Sequence, residues 1–234
     1  MRSNCSDFAG GLEQLAAEIR DCRICVEAPE RAPLPHDPRP VLQVSRTARL
    51  CICGQAPGTR VHRSGRPFTD PSGDRLRSWM GIGPDLFYDP DRLAIVPMGF
   101  CFPGLDAKGG DLPPRPECRK AWHDQLFAAM PQIELVLVIG QYAQAYHLGT
   151  RRRKSLTETV ANWRDYWEEA PEPGKPRVLP LPHPSWRNNA WLKKNRWFET
   201  DLLPVLRNEI ARLLGPGDGD RGGTCMDVQL AAGT

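Results

Sequence analysis

Leu50-Cys51-Ile52-Cys53, followed at once by Gly54-Gln55-Ala56-Pro57-Gly58, is the stretch whose reading decides the fold. Four apolar residues bounded by a glycine- and proline-stiffened turn read as a buried strand that stops abruptly in a tight loop. The same grammar returns late in the chain, where Val178-Leu179-Pro180-Leu181 runs into His183-Pro184-Ser185. In an open parallel sheet, the loops leaving the carboxyl ends of the strands line the ligand crevice. The two stretches therefore set a histidine opposite a turn that exposes its own backbone.

Working outward, helices and strands alternate. Phe8, Leu12, Leu15 and Ile19 recur at helical spacing and predict an amphipathic helix from Ser6 to about Asp21. Residues 26 to 47 are proline-rich and aperiodic, as in an extended loop. The first strand is expected over Ala48 to Cys53, and a helix starting near Ser72 carries Leu76, Trp79 and Met80. Leu93 to Val96 is a second strand. Pro116 suits a first helical turn, after which Cys118, Trp122, Leu126 and Met130 fall at four-residue intervals. Leu135 to Ile139 is apolar throughout, as a central parallel strand should be. Gln141 to Leu148 reads as a short helix stopped by Gly149. Ser155 and Glu158 form a capping-box pattern for a helix through Trp167, and Val178 to Leu181 is the fourth strand. The last helix carries Phe198, Leu202, Val205, Leu206, Ile210 and Leu213, with Pro204 as a kink or restart. The sum is an α/β chain, a three-layer α/β/α sandwich around a four-stranded parallel sheet. One domain is expected over residues 1–214, with a disordered tail over 215–234.

Bulk properties permit this reading without demanding it. A chain of 234 residues with 40% hydrophobic content can bury one good core. No stretch is long and apolar enough for a membrane span and the start lacks a signal pattern, so a cytoplasmic monomer is expected. A net charge of +3 does not by itself demonstrate nucleic-acid binding. The positives cluster, at Arg151, Arg152, Arg153 and Lys154 and again at Arg187, Lys193, Lys194 and Arg196. The first cluster reads equally well as a solvated face; the second flanks His183. Trp186, Trp191 and Trp197 nearby suit either a nucleotide surface or packing. There is no GxGxxG, Walker loop or HExxH signature.

Eight cysteines without a secretion signal argue against a disulfide framework. Cys22-Arg23-Ile24-Cys25 is a CxxC turn, and Cys101 and Cys118 bracket a loop of sixteen residues. Four such thiolates can meet at one metal centre, iron-sulfur or zinc, and buried free thiols are the other possibility. Cys51 and Cys53 share one face of a strand and read as core. Cys5 and Cys225, near the ends, carry no argument.

The Gly54–Gly58 turn, Gly65-Arg66-Pro67-Phe68 and His183-Pro184-Ser185 together resemble the uracil-DNA glycosylase superfamily up to about Leu214, and most closely its iron-sulfur branch. The resemblance implies a 4Fe-4S cluster on Cys22, Cys25, Cys101 and Cys118 that shapes a DNA-facing loop and does no cleavage chemistry. It implies that His183 donates to the leaving base, that Phe68 stacks on it, and that Gly54, Gln55, Ala56 and Gly58 approach it with main-chain groups. Ser185 would pinch the DNA backbone while Trp186 or Arg187 fills the gap left by the extruded nucleotide. The segment His183 to Asn188 is closer to the single-strand-selective version of the motif.

Three departures bear on chemistry. Ala56 stands where the best-known branch has a water-positioning aspartate, a group the iron-sulfur branch also lacks. Asp70 is the nearest acidic candidate for that task, and equally a turn-forming residue before Pro71. Pro97 stands where relatives read the pyrimidine edge with an asparagine, which leaves recognition to the backbone around Met98 and Gly99 or to another side chain. The segment from Phe102 to Glu117 has no histidine, against the branch that bonds covalently to the abasic sugar. The expected function is hydrolytic removal of uracil, or a related deaminated base, from single- or double-stranded DNA. The rivals are a lesion-binding protein with little turnover and a cluster-bearing redox protein without DNA chemistry.

Overall fold

The structure is a computed structural model and describes residues 11–169, 171–172 and 174–215. Its centre is a sheet of β1 (Leu50–Cys53), β2 (Leu93–Ile95), β3 (Leu135–Ile139) and β4 (Arg177–Leu181) in the order β2-β1-β3-β4, with every pair parallel. The strands are short and apolar because both faces are covered. Leu50, Ile52, Leu93, Ile95, Leu135, Leu137 and Leu179 point into one core, with Trp79, Phe198 and Leu206. Cys51, Cys53, Ala94, Val136 and Val138 point into the other, with Leu12, Leu15, Ile19 and Leu126. This is the expected three-layer arrangement, with the period of two in β1 deciding which residue serves which layer. Cys51 and Cys53 are core residues, their sulfurs 3.8 Å apart. Pro180 is tolerated because β4 is an edge strand.

The boundaries shift in instructive places. The first described helix is Gly11–Arg20; Phe8 and the predicted start at Ser6 lie outside the described residues, as do residues 216–234 of the expected tail. The turn after β1 leads into a helix, Thr59–Ser64, ahead of the one expected near Ser72. The helix from Pro116 contains a π turn at Arg119–His123, which inserts one residue into the four-residue pattern. His123 therefore becomes fully buried and Trp122 only partly so. Ser155 does cap its helix, its hydroxyl accepting from the Glu158 amide at 3.1 Å, but that helix breaks at Asn162 into two. Pro204 starts a new α-helix, Leu203–Leu214, after a π turn.

β1 and β3 are neighbours whose outgoing connections run to opposite edges of the sheet. A crevice opens at such a reversal, beyond the carboxyl ends of the strands.

Candidate active site

A cavity of about 90 Å³ occupies that crevice, lined by the Gly54–Gly58 turn, Phe68, Asp70, Pro97, Asp111 and His183. The strand-end residues expected to converge do so, with the exceptions given below.

Phe68 is held in the left-handed region, at φ 53°, where a non-glycine residue is strained by roughly 1–3 kcal/mol. Its carbonyl accepts from the Tyr88 hydroxyl at 3.1 Å and from Arg77 Nη1 at 3.4 Å, which hold the turn in place. Gly73 is obligatory beneath it, since a Cβ there would stand 1.9 Å from the Phe68 carbonyl oxygen. The ring packs edge-on against Phe87, with centroids 5.9 Å apart, and its Cζ lies 3.5 Å from the point where a Cβ on Gly54 would sit. A half-buried aromatic thus faces a bare backbone across the cavity.

His183 sits on a loop braced from within. Asn188 Nδ2 donates to its carbonyl at 2.7 Å, Ser185 Oγ accepts from the Arg187 amide at 3.3 Å, and Arg75 Nη1 donates to the Ser185 carbonyl at 3.0 Å. Burial holds the imidazole below its ordinary pKa, with the Asp70 charge opposing. A neutral imidazole keeps one N–H to donate. Ser185 is accordingly engaged in its own turn, while Trp186 is 70% exposed with the Arg187 guanidinium 5.9 Å from its ring centre. Trp191 and Trp197 take the packing role, each edge-on against Phe198. Arg151 and Arg153 pair with Glu169 and Asp165, as a solvated face would.

Asp70 occupies the N-cap position of the helix Pro71–Met80 but makes no capping bond with its side chain. Its Oδ1 accepts from Ser72 Oγ at 2.7 Å instead. Asp111 is a second carboxylate in the cavity and was missed by the sequence reading. It comes from the 104–112 loop, where Leu105 and Asp111 form an isolated bridge and Asp106 accepts from the amides of Lys108 and Gly110, each at 2.8 Å. Asp111 is open to solvent, yet partial desolvation of its carboxyl pushes its pKa up; Arg187 opposes this and the Asp70 charge reinforces it. The only signal in the sequence was an acidic residue after a glycine pair, which says nothing about where the loop lands.

Met98 and Gly99 are placed otherwise than expected. Their N–H groups donate to the carbonyls of Gly54 and Gln55, each at 2.9 Å, so neither is free to read a base. Both are buried and neither lines the cavity. The Pro97 carbonyl is likewise engaged, by His123 Nε2 at 3.0 Å. What remains is Gln55, which lines the cavity and whose side-chain amide has no hydrogen-bond partner among the described residues.

The four cysteines lie near one another, and none of them lines the cavity. Cys25 is hydrogen-bonded by the Cys118 thiol, which lowers its pKa to about 7. Burial pushes Cys101 up to about 12, and the charges of Cys25 and Cys22 add to this. Cys25 and Cys101 pack together with Leu34. Among the described residues no three Cys, His, Asp or Glu side chains converge closely enough to hold a single metal ion.

No helix among the described residues is long and apolar enough to cross a membrane. A solved structure similar to this chain is the solution NMR structure of a candidate uracil DNA glycosylase from Methanosarcina acetivorans, at 15% identity and a TM-score of 0.39, covering 70% of this chain and 92% of that one. The family model for the Uracil DNA glycosylase superfamily matches residues 42–207, the span that carries the sheet, the cavity and the His183 loop, and the chain belongs to that superfamily.

Proposed function

We propose that the protein is a monofunctional DNA glycosylase that removes uracil, or a related deaminated base, by hydrolysis of a flipped nucleotide. The observation that carries this is the cavity at the carboxyl edge of the sheet, whose lining brings together an aromatic ring, the Gly54–Gly58 turn, two carboxylates and a histidine whose pKa burial lowers. Breaking the N-glycosidic bond puts negative charge on the departing base and positive charge on the sugar. The His183 N–H answers the first, and carboxylates answer the second. Phe68 stacks on the extruded base, and the Gln55 amide, with both a donor and an acceptor, reads its edge. Trp186 and Arg187, exposed beside the cavity mouth, fill the space the nucleotide leaves.

Cys22, Cys25, Cys101 and Cys118 would hold a 4Fe-4S cluster. An all-thiol set of which three members are buried suits such a cluster, whose four ligands bind four different irons. Four thiolates would suit zinc as well, and the iron and sulfide content of the protein decides between them. The cluster would tie the Cys22–Cys25 turn to the 102–117 segment and supply no step of the cleavage. Protein purified without air should contain four irons and labile sulfide and be brown; colourless protein free of iron would remove the cluster.

The second reading, a lesion-binding protein with weak turnover, is favoured by Pro97, which carries no polar side-chain group where relatives carry an asparagine. Cleavage of uracil-containing single strands at the abasic site separates the two. Turnover supports the glycosylase, and tight binding without turnover supports the rival.

A further inference from the structure

We propose that Asp111 is a further catalytic residue of this cavity, its carboxylate positioning the water that attacks the sugar. The inference rests on the glycosylase reading above. Hydrolysis needs a group that orients water and takes its proton, and the cavity lining holds two acids, Asp70 and Asp111. Ala56 offers a methyl. Asp70 already accepts from Ser72 Oγ at 2.7 Å, which fixes one of its oxygens. The Asp111 carboxylate has no hydrogen bond or ion pair among the described residues, and its Oδ2 lies 3.4 Å from the place a Cβ on Gly58 would take. It therefore rests against the bare backbone of the first turn, in the lining of the cavity that His183 also borders. The residue is open to solvent, and the partial desolvation of its carboxyl and the Asp70 charge raise its pKa, which makes it a better proton acceptor than an isolated aspartate while it remains ionised.

The step balances without a further reactant. The C1′–N bond breaks with its electron pair going to the base, held by the His183 N–H. The water oxygen bonds to C1′, and its proton passes to the Asp111 carboxylate and then to solvent. The base anion takes a proton from solvent after release.

The test compares wild type with Asp111→Asn, Asp70→Asn and the double variant Ala56→Asp with Asp111→Asn, in single-turnover excision from a uracil-containing single strand. Asp111→Asn should slow the chemical step by roughly 10²–10³-fold, the range of general-base losses. It should also abolish the acidic limb of the pH–rate profile and leave binding to a neutral tetrahydrofuran abasic analogue unchanged. Wild type should prefer a cationic pyrrolidine abasic analogue, and Asp111→Asn should lose that preference. Restoring an acid at position 56 should recover part of the rate. Excision within about threefold of wild type, or equal weakening toward both analogues, would overturn the assignment. If wild type itself excises nothing, the glycosylase reading fails, and the analogue preference still reports whether Asp111 faces the sugar.

Discussion

The cavity has two unlike walls. One is formed by the ends of β1 and β4 and is braced by main-chain bonds: Gly54 and Gln55 accept from Met98 and Gly99, and the His183 loop is tied by Asn188, Ser185 and Arg75. The other is the irregular 104–112 loop, held by its own short bonds, the Leu105–Asp111 bridge, Leu112 N–H to the Gly104 carbonyl and the Asp106 turn, and showing Leu105 at 50% and Leu112 at 37% exposure. Groups on the braced wall are fixed before a substrate arrives, which is the condition for stabilising charge that develops only in the transition state. A loop wall can present an acid at little structural cost and can differ freely between related chains. The bracing also explains why Met98 and Gly99 have no N–H to offer: their donors hold the first turn in shape.

The largest expected effect lies on the braced wall. His183→Ala should lower excision by about 10²–10⁴-fold while product-like DNA still binds, measured by single turnover and by titration. Loss of binding in parallel would mean that the residue only supports the loop.

A half-buried histidine in the helix Gly140–Leu148, outside the cavity lining, provides a contrast with no part in the chemistry. Burial lowers the pKa of His147 to about 3, and its Nε2 has no partner. The unfolded chain takes up a proton below the ordinary histidine pKa of about 6.5 and the folded one does not. Stability should therefore be lost as pH falls from about 6.5 toward about 3, by on the order of a few kcal/mol. Denaturant titrations of wild type and His147→Phe across that window check the sign; an identical pH slope in both would contradict it.

Phe68→Ala should weaken substrate binding and turnover by about 1–3 kcal/mol, the usual worth of stacking a base on an aromatic ring. A fall in Tm without a change in affinity would place the ring in the core instead. The smallest effect concerns selectivity. With Pro97 and the two amides after it unable to read a base, Gln55→Ala should reduce the kcat/KM ratio of uracil over hypoxanthine more than it reduces excision itself. An unchanged ratio would assign the readout to the main chain of the first turn.

Legibility followed sequence distance. β1, β3 and β4 could be read because an apolar run and its stop signal are adjacent in the chain, and the Ser155 cap because three residues span it. Phe68 and His183 could be named because each sits in a turn whose glycine or proline is its neighbour. Asp111 could not, because its place depends on where a loop tip lands against Gly58, fifty-three residues earlier. Nor could the burial of His123, which needs a π turn that a four-residue periodicity does not encode.

The central claim is that this cavity hydrolyses a base from DNA with His183 as donor to the leaving group. Mass spectrometry of the products from a uracil-containing oligonucleotide tests it most directly. The account predicts free uracil and an unbroken strand carrying one abasic site from wild type, and almost none of either from His183→Ala. An oligonucleotide returned intact by wild type, or equal product from the variant, would contradict it.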